Sequence, residues 1–183
     1  MQPVTVEITW QNEKLDLLPE KAIYWDKEKT LFVADPHFGK AATFRKFGIP
    51  VPELTTENDC KKLEKLVVDT GARTLFFLGD FLHSKHGKTN PLRTILVRWR
   101  ESLPDLEIHL VRGNHDLNAG DPWSELNFSC HPEPFSMTSW DCRHTPIRNS
   151  KRPYLAGHLH PGFSLGKNSR FSLKAPCFWV SPS

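Results

Sequence analysis

The chain contains the stretch Thr30-Leu31-Phe32-Val33-Ala34-Asp35-Pro36-His37, in which an apolar run leads directly into two polar side chains. A short, continuous apolar run of this kind is typical of a buried strand. Asp35 and His37 come immediately after it, and an oxygen and an imidazole at this spacing can both turn toward one ion. Taken alone, the pattern also fits a structural turn.

Three further apolar runs end in polar loops of the same kind. The runs extend over 74–78, 107–112 and 154–156, and the loops that follow them are Gly79-Asp80, Gly113-Asn114-His115-Asp116 and Gly157-His158-Leu159-His160. In an open α/β sheet, ligands bind beyond the carboxyl ends of the strands. The four loops therefore predict one site that is assembled from distant parts of the chain.

The loop side chains suit a pair of metal ions. Asn114 offers a neutral oxygen, and the imidazoles of His158 and His160 can point the same way from an extended strand end. Carboxylate, imidazole and amide ligands together favour Mn²⁺, Fe or Zn²⁺ over Ca²⁺, which takes only oxygen ligands. Two ions roughly 3.5–4 Å apart and bridged by Asp80 would clamp a phosphoryl group and generate hydroxide at neutral pH.

Other residues have roles with open alternatives. His115 could donate a proton, and Asp116 could either orient its imidazole or cap the next turn. His144 is expected to add a ligand, because it follows a strand predicted over 135–142 and precedes a turn at Pro146. His131 is the alternative ligand. His109 is expected to lie within a strand, either packed or at the surface, and His86 is expected to face solvent.

The remaining pattern predicts an α/β domain, in which strands and helices alternate through the middle of the chain. We treat residues 1–183 as one domain. The expected elements are a strand over 4–10, a second strand or turn over 15–25 broken at Pro19, a short helix over 39–48, a helix starting after Thr55 or Thr56 and ending at Gly71, a helix with Asn90 as N-cap and Pro91 at N1, and a hairpin of 163–165 with 170–173.

The composition is that of an ordinary globular protein with a mild positive charge. The 183 residues are 38% hydrophobic and 25% charged, with a formal charge of +3, which permits a phosphate-bearing substrate but does not require one. The cations expected near the site could contact a nucleic-acid backbone or could form a solvated rim. They are Arg45, Lys46, Lys85, Lys88 and Arg112. No run of aromatic residues suggests a base-stacking platform.

The cysteines and the termini bear on the cellular compartment. Cys60, Cys130, Cys142 and Cys177 form no CxxC pair, so we expect free thiols in a reduced cytoplasmic setting. The N-terminus lacks the pattern of a signal peptide, and no run reaches the roughly 18 apolar residues of a membrane span. We therefore expect no membrane partner.

The blocks D-x-H, GD, GNH[D/E], a lone His and GHxH, in this order, resemble the calcineurin-like metallophosphoesterases. Further stretches resemble the PdeM subfamily, the bacterial ligase-associated DNA damage response endonucleases. They are Gly39 to Arg45 followed by Gly48 to Pro52, Gly79 to His83, Leu110 to Pro122, and Ala156 to Gly162 with Pro176 to Trp179. The resemblance extends over about residues 20 to 180.

The resemblance implies a four-layer metallophosphoesterase sandwich, in which two mixed sheets are flanked by helices. By family role, the first ion is held by Asp35, His37 and His160, the second by Asn114, His144 and His158, and Asp80 bridges both. His115, supported by Asp116, would protonate the leaving oxygen, and His83 would contact a phosphate oxygen. The implied reaction is hydrolysis of a phosphodiester, with DNA as substrate, by a hydroxide that bridges two divalent ions, Mn²⁺ above all.

The implied setting is a DNA repair pathway, with a DNA ligase and a helicase as partners. The chain departs from the family at Pro36, where Leu or Thr is common, and at His144, which lacks the usual second histidine. It also stops at Ser183, where relatives continue. Two alternatives stay open: a phosphodiesterase for a small nucleotide or other small phosphodiester, and a non-catalytic scaffold. A scaffold would be expected to have lost ligands or the acid.

Overall fold

A computed structural model of the protein describes residues 4–51, 55–165 and 173–181. The strands are β1 (Val6–Trp10), β2 (Glu13–Leu18), β3 (Ala22–Trp25), β4 (Thr30–Val33), β5 (Thr74–Leu78), β6 (Glu107–Val111), β7 (Ser129–His131), β8 (Phe135–Ser136), β9 (Asp141–Arg143), β10 (Tyr154–Ala156), β11 (Gly162–Leu165) and β12 (Leu173–Pro176). The helices are α1 (Lys40–Lys46), α2 (Thr55–Thr70), α3 (Asn90–Glu101) and α4 (Asn114–Ala119), with 3₁₀ turns at Asp26–Glu28 and Ser124–Leu126.

The larger sheet contains β1 to β7 in chain order. Its first four strands are antiparallel, whereas β4 to β7 run parallel. Val33 of β4 pairs with Phe77, and Leu78 of β5 pairs with Val111 of β6. Because these parallel strands end at the same edge, the loops that follow them meet there. This edge is where the sequence predicts a site.

The smaller sheet has the order β10-β9-β8, with one parallel and one antiparallel pairing. The prediction of a mixed α/β fold with two mixed sheets is therefore confirmed. β11 and β12 form a separate antiparallel hairpin. The second arm of this hairpin starts at Leu173, and the residues predicted for it at 170–172 lie outside the described ranges.

The larger sheet is buried on both faces, because its central strands alternate their side chains between two cores. Leu75 and Phe77 pack against helices α2 and α3 in one core. Phe76 and Leu78 face the smaller sheet in the other core, where Trp140 is fully buried. The helices and the smaller sheet thus lie on opposite faces of the larger sheet, and the shared edge stays open to carry the loops.

The predicted helices form with small shifts at their ends. α1 ends at Lys46, two residues before Gly48, and α2 ends at Thr70. Gly71 follows α2, and its φ of 65° suits the residue after a helix. The predicted N-cap of α3 was wrong by one residue. The N-cap is Thr89, whose side-chain oxygen accepts from the backbone N–H of Leu92, and this places Pro91 at the second helical position rather than the first.

Two strand predictions also need correction. The segment predicted as one strand or turn before Trp25 forms both β2 and β3, because the backbone N–H of Lys21 closes a turn on the carbonyl of Leu18. The strand predicted over 135–142 was wrong, since the backbone N–H of Met137 bonds to the carbonyl of Trp140 and splits it into β8 and β9. Within the described ranges, no helix is long and apolar enough to span a membrane.

Candidate metal centre

Hydrogen bonds join the loops that follow β4, β5, β6 and β10. The backbone N–H of His37 donates to the carbonyl of Asp80 (2.9 Å), and the backbone N–H of His115 donates to Oδ1 of Asp80 (2.9 Å). The backbone N–H of His158 donates to Oδ2 of Asp35 (2.8 Å). Four segments that are far apart in sequence therefore form one connected cluster at the sheet edge.

Several loop residues have a positive φ, which is uncommon for residues other than glycine. The φ values are 51° at Asp35, 49° at His37, 51° at Asp80, 71° at His158 and 44° at His160. Such backbone conformations cost free energy and persist where the surroundings fix them, most often at functional sites. All five positions belong to the predicted ligand set, so the strain falls where the chemistry is expected.

The glycines that precede the ligands allow very close packing. A Cβ atom at Gly79 would lie 2.1 Å from Nδ1 of His144, and one at Gly113 would lie 2.2 Å from Oδ1 of Asp80. Real Cβ atoms do not approach other atoms this closely, so a side chain at Gly79 would displace His144 and one at Gly113 would displace Asp80. Glycine at positions 79 and 113 therefore leaves the space that the side chains of His144 and Asp80 occupy.

His144 lies at the centre of one group of ligand atoms and is 1% exposed. Its Nε2 atom is 3.0 Å from Oδ1 of Asn114, 3.0 Å from Nδ1 of His158 and 3.5 Å from Oδ2 of Asp80. Its Nδ1 atom lies 3.1 Å from the carbonyl of Leu78, which makes Nδ1 the protonated nitrogen of the neutral ring. The Nε2 lone pair then faces the side-chain oxygens of Asn114 and Asp80, an arrangement that a cation stabilises.

A second group contains Asp35, His37 and His160, whose potential ligand atoms lie within 4.8 Å of one another. Oδ1 of Asp35 is buried and has no hydrogen-bond partner. Burial raises the pKa of the Asp35 carboxyl and lowers the pKa of His37 to about 4. His37 is therefore neutral near pH 7, the form that binds metal. A cation would supply the partner that Oδ1 of Asp35 lacks.

Asp80 lies between the two groups and is 2% exposed. Its Oδ2 atom is 3.5 Å from Nε2 of His144 in one group and 3.9 Å from Nε2 of His37 in the other. The donor set of both groups is nitrogen and oxygen, which suits divalent transition metals. The residues of the centre thus fit divalent cations on both sides of the Asp80 carboxylate.

His115 and His83 lie side by side at the rim of the centre. Their rings are nearly parallel with centroids 5.0 Å apart, and their potential ligand atoms group with that of His37. Nδ1 of His115 donates to the carbonyl of His83, because a carbonyl can only accept. Its Nε2 atom therefore lies on the edge that faces Asp80, 3.9 Å from Oδ2. This atom is placed to carry a proton toward the centre.

Asp116 takes the second of the two roles that the sequence left open, which is to cap the next turn. Its carboxylate accepts from the backbone N–H groups of Leu82 and Gly113, both at 3.0 Å, and the residue is 1% exposed. The imidazole of His115 is oriented by the carbonyl of His83 instead. Burial raises the pKa of the Asp116 carboxyl. Asp116 therefore caps α4 and fixes the loop that contains Leu82, and it does not orient His115 directly as the resemblance implied.

The two arginines predicted to bind substrate have other partners in the structure. Arg112 forms two hydrogen bonds with the carboxylate of Asp121, at 2.6 and 2.8 Å. Arg45 is exposed on α1 and donates to the carbonyl of Val51 at 3.0 Å. The charge of Arg112 is thus offset within the protein.

The other histidines lie away from the ligand groups. Nε2 of His131 is 2.9 Å from Nδ1 of His109. His109 belongs to β6, and its ring stacks on that of Phe76 in the neighbouring strand β5. His131, the alternative to His144, is therefore placed with His109 rather than among the ligands. His86 is half-buried rather than fully exposed, and its Nδ1 accepts from the ammonium of Lys46 at 2.9 Å.

Glu133 is a supporting residue that the sequence did not identify. Its Oε2 atom accepts from the backbone N–H groups of His144 and Thr145, both at 2.8 Å. These bonds fix the segment that carries His144. A glutamate eleven residues before a histidine has no distinctive spacing, so no sequence signal could have revealed this contact.

Residues 28–172 match the sequence model of the calcineurin-like phosphoesterase family. The matched region includes every loop of the candidate centre. No curated protein matches the chain.

Among solved structures, the chain is similar to the nuclease MPE of Pseudomonas putida. The two share 36% sequence identity and superpose with a TM-score of 0.83. The match covers 96% of this chain and 81% of the nuclease chain. At this identity the likeness extends beyond the fold to the family.

Proposed function

The chain belongs to the calcineurin-like phosphoesterase family, and we propose that it hydrolyses phosphodiester bonds in DNA with two divalent metal ions. The observation that carries this proposal is the position of Asp80, whose Oδ2 atom lies within 3.9 Å of histidines from both ligand groups. A carboxylate shared in this way is what a centre with two metals needs. The similarity to a protein described as a nuclease supports the choice of a nucleic-acid substrate.

The ligand groups would each hold one ion. Asp35, His37 and His160 would bind the first, Asn114, His144 and His158 would bind the second, and Asp80 would contribute to both. When bound, two such ions activate water near neutral pH and offset negative charge on phosphoryl oxygens. The nitrogen and oxygen donors support Mn²⁺, with Fe or Zn²⁺ as alternatives.

The protein itself would supply the proton for the leaving oxygen. Nδ1 of His115 is engaged by the carbonyl of His83, so the proton to be donated must be on Nε2, the atom that faces the centre. General acid catalysis of this kind typically contributes on the order of 10²–10⁴-fold in rate. His83, which stacks on His115, would contact a non-bridging phosphate oxygen.

We further propose that the activity belongs to DNA repair in the cytoplasm. All four cysteines are free thiols, which supports a reducing compartment. The DNA repair role, with a ligase and a helicase as partners, is supported by the sequence resemblance described above.

The function is tested by removing the metals with a chelator, restoring Mn²⁺, Fe²⁺ or Zn²⁺, and assaying four substrates. These are bis(p-nitrophenyl) phosphate, p-nitrophenyl phosphate, and single- and double-stranded DNA. We expect metal-dependent cleavage of the diester and of DNA, and weak cleavage of the monoester. Cleavage of the small diester without DNA cleavage would contradict the nuclease assignment. Absence of any turnover with every metal would contradict catalysis itself.

A further inference from the structure

Two segments beside the metal centre carry positive charge and contain no acidic residue of their own. No Asp or Glu occurs over 36–52 or over 81–100. Helix α1 lies in the first of these segments, and the loop that follows His83 lies in the second. The cations of α1 and this loop are Lys40, Arg45, Lys46, Lys85 and Lys88.

Helix α1 is fixed against this loop by direct contacts. The hydroxyls of Thr43 and Ser84 are 2.8 Å apart. A Cβ atom at Gly39 would lie 2.6 Å from the carbonyl oxygen of Gly87, so the two backbones pack without an intervening side chain. The position of the helix relative to the centre is therefore set by the fold.

Aromatic rings continue from the centre along the same helix. The ring of Phe44 is 6.0 Å from that of His83, which itself stacks on His115. Phe47 is the residue directly after α1, and its ring is 6.1 Å from that of His86. Phe47 is 67% exposed, an unusual position for a large apolar ring.

Two polar groups on this surface are oriented by their neighbours. The ammonium of Lys46 can only donate, so Nδ1 of His86 accepts and its Nε2 carries the proton of the neutral ring. This N–H can donate to a phosphate oxygen. The ammonium of Lys40 lies 5.8 Å from the centroid of the Phe44 ring. Cations and rings thus alternate over a short distance.

We propose that this surface, the α1 face (Lys40, Phe44, Lys46, Phe47, Lys85 and His86), binds an unpaired nucleic-acid strand leading away from the phosphate to be cleaved. The inference rests on the proposed function, because it places that phosphate at the metal centre. Cations contact the backbone and Phe47 stacks on a base, the combination that binds single strands without sequence preference. An unpaired base is required, since bases within a duplex already stack on each other.

The test measures binding of a fluorescein-labelled phosphorothioate (dT)₂₀ to the full, Mn²⁺-loaded chain by fluorescence anisotropy, over a series of salt concentrations. We expect Phe47→Ala to weaken binding about tenfold without changing the salt dependence, since stacking involves no counterion release. We expect Lys46→Ala to reduce the slope of log K against log salt by about 0.7, the value for one phosphate contact with a single strand. Phe47→Trp should restore the affinity.

Control variants separate this surface from general effects. Val68 is 69% exposed near the end of α2, which leads to the opposite edge of the sheet. Arg73 is exposed in the connection between α2 and β5. We expect Val68→Ala and Arg73→Ala to bind as the unaltered protein does. Equal binding by Phe47→Ala and Val68→Ala would overturn the proposal, as would affinity for a duplex equal to that for the single strand. The binding assay requires no turnover, so its outcome is independent of whether the proposed hydrolysis is correct.

Discussion

The imidazole of His144 packs so closely on Gly79 that a Cβ atom at position 79 would lie 2.1 Å from its Nδ1 atom. Gly79→Ala should therefore displace His144 and lower metal affinity by about 10- to 100-fold, the usual effect of disturbing a residue that orients a ligand. Metal content after dialysis measures this directly.

The matched control is Gly71→Ala. Gly71 also has a positive φ, 65°, but a Cβ atom there would meet nothing within 4 Å. This substitution should cost about 1–2 kcal/mol of unfolding free energy from backbone strain and leave the metal content unchanged. If the Gly79→Ala variant kept two ions per chain, the close packing of His144 on Gly79 would not matter for metal binding.

His115→Ala should separate catalysis from metal binding. The structure places His115 at the rim, where its Nδ1 donates to the carbonyl of His83, and not in the candidate groups that contain Asp35 or His144. Diesterase activity should fall on the order of 10²–10⁴-fold while the bound metal is retained. Loss of metal from this variant would mean that His115 is a ligand rather than the acid.

His144→Ala and His131→Ala form a direct comparison between the two histidines that the sequence left as alternatives. His144 lies 3.0 Å from Asn114 and His158, whereas His131 pairs with His109. We expect the first variant to lose one ion and most diesterase activity, and the second to retain both. The opposite result in a metal analysis would refute the assignment of the second ligand group.

The cysteines should differ sharply in their reaction with iodoacetamide. Cys60 is a buried residue of α2, and burial raises the pKa of its thiol to about 12. At pH 8 roughly one Cys60 thiol in 10⁴ is then the reactive thiolate, whereas Cys177 is exposed. Mass spectrometry should find rapid alkylation of Cys177 and little at Cys60 until the protein is unfolded. Equal rates in the folded protein would contradict the burial of Cys60.

The sequence predicted the strand-end loops because each follows a continuous apolar run, and a buried parallel strand needs such a run. Val33, Leu78 and Val111 end the three parallel strands that these runs form, so the polar residues after them had to meet at one edge. Asp35, Asp80 and Asn114 could be named without a structure for this reason.

Contacts that depend on the exact path of the chain could not be predicted in this way. Asp116 turns its carboxylate toward the backbone rather than toward His115, and Glu133 reaches His144 from another loop. The exposure of Phe47 depends on how α1 packs on the loop after His83. Spacing in the sequence fixes none of these, because each is set by packing between segments that are distant in sequence.

The central claim is that Asp80 is shared by two metal ions. The most direct measurement is anomalous diffraction from crystals grown with Mn²⁺, collected above and below the manganese absorption edge. We expect two peaks roughly 3.5–4 Å apart, both within coordination distance of the Asp80 carboxylate, one beside His37 and one beside His144. A single peak, or two peaks of which neither contacts Asp80, would contradict the account.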